Sequence, residues 1–177
     1  MMKKWMRAVS VLALVFGCAQ GLLLAQQAPS YDETAAWIAA KFPELNGVYT
    51  GGGLRKTLVY TLDSMSACSF QYNTHITTSF SATRDVEDTY TSHRIDLAKV
   101  SSVNVSNIDG VLGVSIESSS QAYWRVGGAE WVPNNSSFIY TANPGVDNQD
   151  LAPRLVHALE HAVSICKTQA PKSNEPF

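Results

Sequence analysis

Two histidines four residues apart are the most chemistry-bearing spacing in the chain. His157-Ala158-Leu159-Glu160-His161 fits H-x-x-E-H, the inverted zinc-protease pattern, in which one turn of helix brings both imidazoles to a single metal. A protease of that kind needs a further carboxylate ligand far downstream, and 16 residues follow His161. The helical phase also sets both histidines opposite the apolar stripe of their segment, so they are expected in solvent, and no metal is expected. Gly51-Gly52-Gly53-Leu54-Arg55-Lys56-Thr57 has the look of a phosphate-binding loop but lacks a glycine directly before the lysine; it reads as a turn into a strand. Asp85, Glu87 and Asp88 lack the 12-residue calcium pattern and read as a loop face. No G-x-S-x-G and no C-x-x-C occurs, and no convergent set of nucleophile, base and orienter is legible. The enzyme alternative would need a site assembled from scattered residues such as His75, His93 and Asp96. No cofactor is implied.

The two cysteines of the body of the chain carry a different chemistry. Lys3, Lys4 and Arg7 precede an apolar stretch from Ala8 to Phe16, and Leu22 to Ala25 lead to a small-residue exit. That is the pattern of a signal peptide over residues 1–25, with Gln26 as the mature N-terminus. Gly17, Gln20 and Gly21 interrupt the apolar run, which argues against a permanent membrane span. Val15-Phe16-Gly17-Cys18 resembles a bacterial lipobox, so lipidation of Cys18 and anchoring to the envelope is the alternative exit. Ordinary cleavage removes Cys18 and leaves Cys68 and Cys166 in an oxidising compartment, where disulfides persist. A bridge between them is expected.

Of 13 Lys and Arg, three leave with the signal; the remaining 10 face 15 Asp and Glu, a formal charge of −5 on a mature chain of 152 residues. That length suits one domain. The acidic balance and the lack of a basic run exclude nucleic acid and anionic membrane surfaces as natural partners.

The positioning elements follow from periodicity. Residues 26–30 are a polar leader and residues 31–167 a single domain, followed by a loose polar tail over 168–177. A helix is expected from Asp32 to Phe42, with Ala35, Ile38, Ala39 and Phe42 on its apolar face, Ser30 and Glu33 forming a capping box, and Pro43 ending it. From Leu58 to Tyr140 the period falls to two. Cys68, Phe70 and Tyr72 alternate with polar neighbours on one strand, and turn signals stand at Gly47–Gly53, Asp109-Gly110, Gly127-Gly128, Pro133-Asn134-Asn135 and Asn143-Pro144-Gly145. About seven short strands are expected, in an antiparallel sheet closing on itself. Tyr123, Trp124 and Trp131 flank one of these turns and form either half-buried core or an exposed interaction edge. A closing helix from Asp150 to Lys167 carries Leu151, Leu155, Ala158, Leu159, Ala162, Ile165 and Cys166 on its inner stripe.

Helix, seven-stranded antiparallel barrel and capping helix is the element order of a pleckstrin-homology-like domain, an α+β and mainly β architecture. Thr34-Ala35-Ala36-Trp37-Ile38-Ala39-Ala40-Lys41-Phe42, Ile95-Asp96-Leu97-Ala98-Lys99-Val100, the segment Ala158 to Cys166 and the ending Glu175-Pro176-Phe177 resemble a family of small exported bacterial proteins of this architecture whose function is unknown. The resemblance implies a fold and no activity. The Lys-…-Arg-x-Arg pattern of phosphoinositide-binding relatives is absent from the first hairpin. Together these features point to an exported, non-enzymatic binding or scaffold module acting on a protein partner in the cell envelope. The alternatives are a barrel carrier of a small apolar ligand and the scattered-site enzyme.

Overall fold

A computed structural model describes residues 28–51, 53–108, 111–125, 130–141 and 150–169; the side chains of residues 51, 108, 111, 124 and 125 are not described. The segment expected to be a signal peptide, Cys18, the tail beyond Gln169 and the turn signals at 109–110, 127–128 and 143–145 lie outside the described residues. The chain is α+β and mainly β: helix α1 (Tyr31–Lys41), strands β1 (Gly47–Gly51), β2 (Leu54–Ser66), β3 (Ser69–Phe80), β4 (Val86–Asp96), β5 (Val100–Ile108), β6 (Val111–Arg125) and β7 (Val132–Tyr140), then helix α2 (Leu151–Gln169).

Helix α1 starts where its capping chemistry puts it. The Glu33 backbone N–H donates to Ser30 Oγ at 3.2 Å, and the Ser30 N–H donates to the Glu33 carboxylate at 2.7 Å, so two orphan donors are satisfied reciprocally. Its buried face is rotated from the expected one: Thr34, Ile38 and Phe42 go inward, while Ala36 and Ala39 stay exposed. Thr34 tolerates burial because its hydroxyl donates to the Ser30 carbonyl at 2.9 Å. Pro43 does not stop the chain outright. It sits in a short 3-10 turn, Phe42–Leu45, that drives Phe42 and Leu45 into the core. Phe42 meets Tyr60, Phe70 and Tyr72 edge-on, with ring centroids 6.2, 5.9 and 5.7 Å away.

All strand pairings are antiparallel, and the sheet curls into a half-barrel. Strands β4 and β5 lie end to end along one edge of β6: Thr91–Ile95 pair with the last residues of β6 and Val100–Ile108 with its first. The 3-10 turn Leu97–Lys99, capped by the Asp96 carboxylate through the Ala98 N–H at 3.0 Å, makes the bend between them. Strand β7 pairs along the other edge of β6. Among the described residues the sheet stops short of closing, against the expectation of a closed barrel. Where β7 comes round to β2 there is no ladder; the Tyr140 N–H instead donates to the Tyr60 hydroxyl at 2.9 Å. A buried phenol needs a partner for its oxygen, and here it substitutes for a missing strand pair.

Several expected turns are strands. Gly47–Gly51 forms β1, and Pro133-Asn134-Asn135 lies within β7. An outer strand tolerates a proline because its missing N–H need not enter a ladder. Glu87 and Asp88 stand on β4 rather than on a loop. Helix α2 covers the concave face with Leu151, Leu155, Leu159, Ala162 and Cys166, as expected, but also with Ala152, Val156 and Val163, while Ala158 and Ile165 are only half-buried. The stripe is wider and rotated because α2 packs against α1 as well as against β5 and β6.

Gly113 on β6 has no room for a side chain: a Cβ there would lie 2.4 Å from the Ile139 carbonyl oxygen and 2.5 Å from the Phe138 ring. Gly113→Ala should therefore lower the unfolding free energy by roughly 1–3 kcal/mol, the usual cost of overpacking. Equilibrium urea unfolding measures it, and an unchanged midpoint would show that β7 gives way freely.

Candidate functional site

Cys68 and Cys166 are bridged, with Sγ–Sγ 2.09 Å and Cα–Cα 5.6 Å across 98 residues of sequence. Cys68 is not on the strand where alternation with Phe70 and Tyr72 would put it. It is the second residue of the two-residue turn joining β2 to β3, where Ser66 pairs with Ser69. Ala67 and Cys68 both adopt left-handed backbone, φ 46° and 61°, as a tight hairpin turn of the primed type demands. Neither is glycine or asparagine, so the turn is held in a form its residues disfavour by about 1–2 kcal/mol each. Two tethers hold it: the bridge to Cys166, itself 1 % exposed, and the Leu97 N–H donating to the Cys68 carbonyl at 2.8 Å.

The residues of the scattered-site alternative do not converge. His75 pairs with Tyr90 across β3 and β4 and faces outward; His93 pairs with Tyr72 and Tyr123 and faces the interior. The two imidazoles are thus on opposite faces of the sheet. Asp96 is engaged as the cap of the 3-10 turn. His93 stacks on Tyr72 with centroids 4.5 Å apart and planes within 10°. Burial pushes its pKa down to about 4, and its Nδ1 is buried without a hydrogen-bond partner among the described residues. The Tyr72 hydroxyl lies toward Ser137 but outside good hydrogen-bond geometry, and burial raises its pKa far above the ordinary phenol value.

The outer face of β2, β3 and β4 carries the clearest constellation. His75 and Tyr90 stack face to face at 3.9 Å with planes 9° apart. His75 Nε2 lies 3.0 Å from the Asp88 carboxylate, and Thr77 Oγ1 donates to the same oxygen at 2.6 Å. Those two hydrogen bonds hold the Asp88 pKa below the ordinary carboxylate value. One residue pair further along, Ser92 Oγ donates to Asn73 Oδ1 at 2.6 Å. Val59, Thr61, Asn73, His75, Tyr90 and Ser92 line a depression of about 390 Å³. Thr77 Oγ1 also lies 3.4 Å from His75 Nε2, so Thr77, His75 and Asp88 form one hydrogen-bonded cluster on this face. Alternation on β3 puts this row outward: Phe70, Tyr72 and Thr74 are buried, so Asn73, His75 and Thr77 must face the other way.

The aromatic edge expected from the sequence is divided. Trp131 is 40 % exposed, with the Arg94 guanidinium 4.7 Å above its ring, on the outer side with the rest of the row. Tyr123 is half-buried and stands opposite His93. The backbone of Trp124 pairs with Ser92, but its side chain is outside those described. Tyr90 was missed by the sequence reading; its signal is the pairing with His75, which only the register reveals.

His157 and His161 also part company. His157 is exposed beside Glu160 at 3.6 Å, whereas His161 Nε2 lies 2.7 Å from the Pro29 carbonyl and fastens the entry of the domain to α2. Among the described residues there is no group of three His, Cys, Asp or Glu suited to a metal, and no helix long and apolar enough to cross a membrane. No family model matches this chain, nor does any curated protein or solved structure, so a functional reading rests on the chain's own geometry.

Proposed function

We propose that the protein is an exported, non-enzymatic binding module of pleckstrin-homology-like architecture that acts on a protein partner in the cell envelope. The observation that carries this reading is the outer sheet face: a rigid polar and aromatic row of His75, Tyr90, Asn73 and Ser92, flanked by Trp131 under Arg94. Exposed aromatic groups held in one orientation lose little side-chain entropy on binding, and tyrosine, tryptophan and arginine are the residues that dominate protein interfaces. The concave face is filled by Phe42, Tyr60, Phe70, Tyr72 and the apolar side of α2, which favours this reading over a carrier with an interior ligand. The opposed faces of His75 and His93 favour it over an enzyme. Capture of partners by the mature protein from envelope extract, followed by mass spectrometry, tests it. Tyr90→Ala should lose a partner that the unaltered protein retains; a captured set unchanged by Tyr90→Ala and by Trp131→Ala would remove the face from consideration.

Export carries its own expected result. N-terminal mass spectrometry of the protein made in its native host should find Gln26 first. A diacylated Cys18 would replace simple cleavage by an anchored form.

A further inference from the structure

We infer that the slot between α1 and the second half of β2 receives an extended peptide as an added strand. The inference rests on the reading of the protein as a binding module but uses a different surface from the outer face. Strand β1 covers only part of β2: its register runs from Gly51 opposite Leu54 to Gly47 opposite Leu58 and ends there. Beyond that point the chain turns away, and the Asn46 side chain stands in for the next strand residue, its Oδ1 accepting the Tyr60 N–H at 2.6 Å. By strand alternation the Tyr60 C=O and the Leu62 N–H and C=O point along the same edge, where β1 no longer reaches. A row of backbone groups with no strand partner among the described residues is a template for another chain.

The shape of the space agrees. A groove of about 630 Å³ is lined by every residue of β2 from Val59 to Met65. Successive residues of a strand point to opposite faces, so a groove touching seven in a row runs along the edge rather than over a face. Its far wall is α1, which presents Ala35, Ala36 and Ala39 there. Ala36 and Ala39 are exposed on a helix whose other face is buried, so small side chains keep open a width that larger ones would fill. The register shift between Leu62 and Ser64 places a bulge at Asp63 and limits pairing to the stretch before it. Among the described residues Asp63 is the one charged side chain lining the groove, on a chain with an excess of acidic side chains. The occupant is therefore an extended segment of another protein, alternating in pattern, with a lysine or arginine near its middle: backbone pairing supplies affinity and the charge supplies register.

The test uses the mature protein and a blocked nine-residue peptide of alternating threonine and valine with one central lysine. Amide chemical shifts should move at Tyr60–Met65 and at Ala35–Ala39 on titration. Ala39→Trp fills the slot from an exposed helix position and should weaken binding roughly tenfold or more, the equivalent of at least one lost backbone hydrogen bond. Ala36→Trp is the second variant should the first fail to fold. Asp63→Lys should weaken the lysine peptide up to about fivefold, the range of an exposed ion pair. Methylation of alternate peptide nitrogens needs no variant and should abolish the shifts. Binding that survives Ala39→Trp and N-methylation, shifts confined to His75 and Tyr90, or no shifts at millimolar peptide would each overturn the inference. A dimer of the free protein that Ala39→Trp converts to monomer would assign the slot to a second copy and overturn it too. Partner capture lost with Tyr90→Ala but retained with Ala39→Trp, alongside a failed titration, would leave the binding-module reading standing and remove only the slot.

Discussion

Replacing Cys166 by alanine should lower the unfolding free energy by about 2–5 kcal/mol. The bridge spans 98 residues, and the chain-entropy treatment puts a loop of that length near the top of this range. Alanine at 166 is preferable to serine because the position is 1 % exposed and a hydroxyl there would be buried among the apolar groups of α2. For a domain of this size the loss corresponds to a fall in Tm on the order of 10 °C. The effect should not be uniform. Ala67 and Cys68 sit at φ 46° and 61°, and the bridge is one of the two tethers that keep them there. In Cys166→Ala the amides of Ser66 to Ser69 should lose hydrogen-exchange protection by more than the global destabilisation explains, and the C-terminal turns of α2 should fray. Unfolding of the unaltered protein in reductant should match that of the variant. Two free thiols per chain in the unfolded, unreduced protein, or a stability indifferent to reductant, would end the argument.

Acid should destabilise the fold through His93. Its folded pKa lies near 4 because burial disfavours the imidazolium, against about 6.5 in the unfolded chain. The direction follows from which state binds the proton. Above pH 6.5 the ring is neutral in both states and nothing is lost. Between pH 6.5 and 4 the unfolded chain takes up a proton that the folded one refuses, so stability declines across that window and levels off below it. The difference amounts to roughly 2–3 kcal/mol by pH 4. Among the described residues burial alone accounts for the shift, with Tyr72 stacked on the ring at 4.5 Å and Tyr123 across the pairing with β6. His93→Phe keeps a flat ring against Tyr72 and carries no proton. Its unfolding free energy, measured by urea from pH 7.5 to 4, should fall less than that of the unaltered protein by that amount. Carboxylates such as Asp88, whose pKa is lowered, contribute to both curves and cancel in the comparison. Parallel curves would mean that the ring takes up its proton in the folded state as readily as in the unfolded one.

Much of the scaffold was legible from local chemistry alone. Ser30 and Glu33 fixed the start of α1 because a capping box involves only residues three apart. The switch from period 3.6 to period 2 separated a helical start from a strand-rich body, although the strands begin at Gly47 and Leu54 rather than at Leu58. Phe70, Tyr72, Leu155, Leu159 and Cys166 were identified as inward-facing by alternation or helical phase, and all are buried. The pairing of Cys68 with Cys166 was expected from a signal-like start and the even count left without Cys18, and the two are bridged, although Cys68 stands in a turn and not on the strand assigned to it. A two-residue primed turn ordinarily declares itself by Asn-Gly or Asp-Gly, and Ala67-Cys68 carries no such signal.

What local chemistry left open is whatever depends on which strands meet. Glycines predicted a turn at residues 47–51, yet β2 supplies a partner there and makes it a strand. The rotated face of α1 and the wider stripe of α2 arise because the two helices pack on each other, which no single-helix wheel contains. Whether the sheet closes depends on its accumulated curl, and a single phenol at Tyr60 spans the place where a strand pair would complete the barrel. Both candidate surfaces are products of register. His75 meets Tyr90, Thr77 meets Asp88, and β1 stops at Leu58 because of how consecutive strands align across their turns, while the periodicity of each strand by itself is satisfied by several alignments. Short-range chemistry thus determined the kind of elements and most of the core, and the tertiary structure alone decided which side chains share a surface.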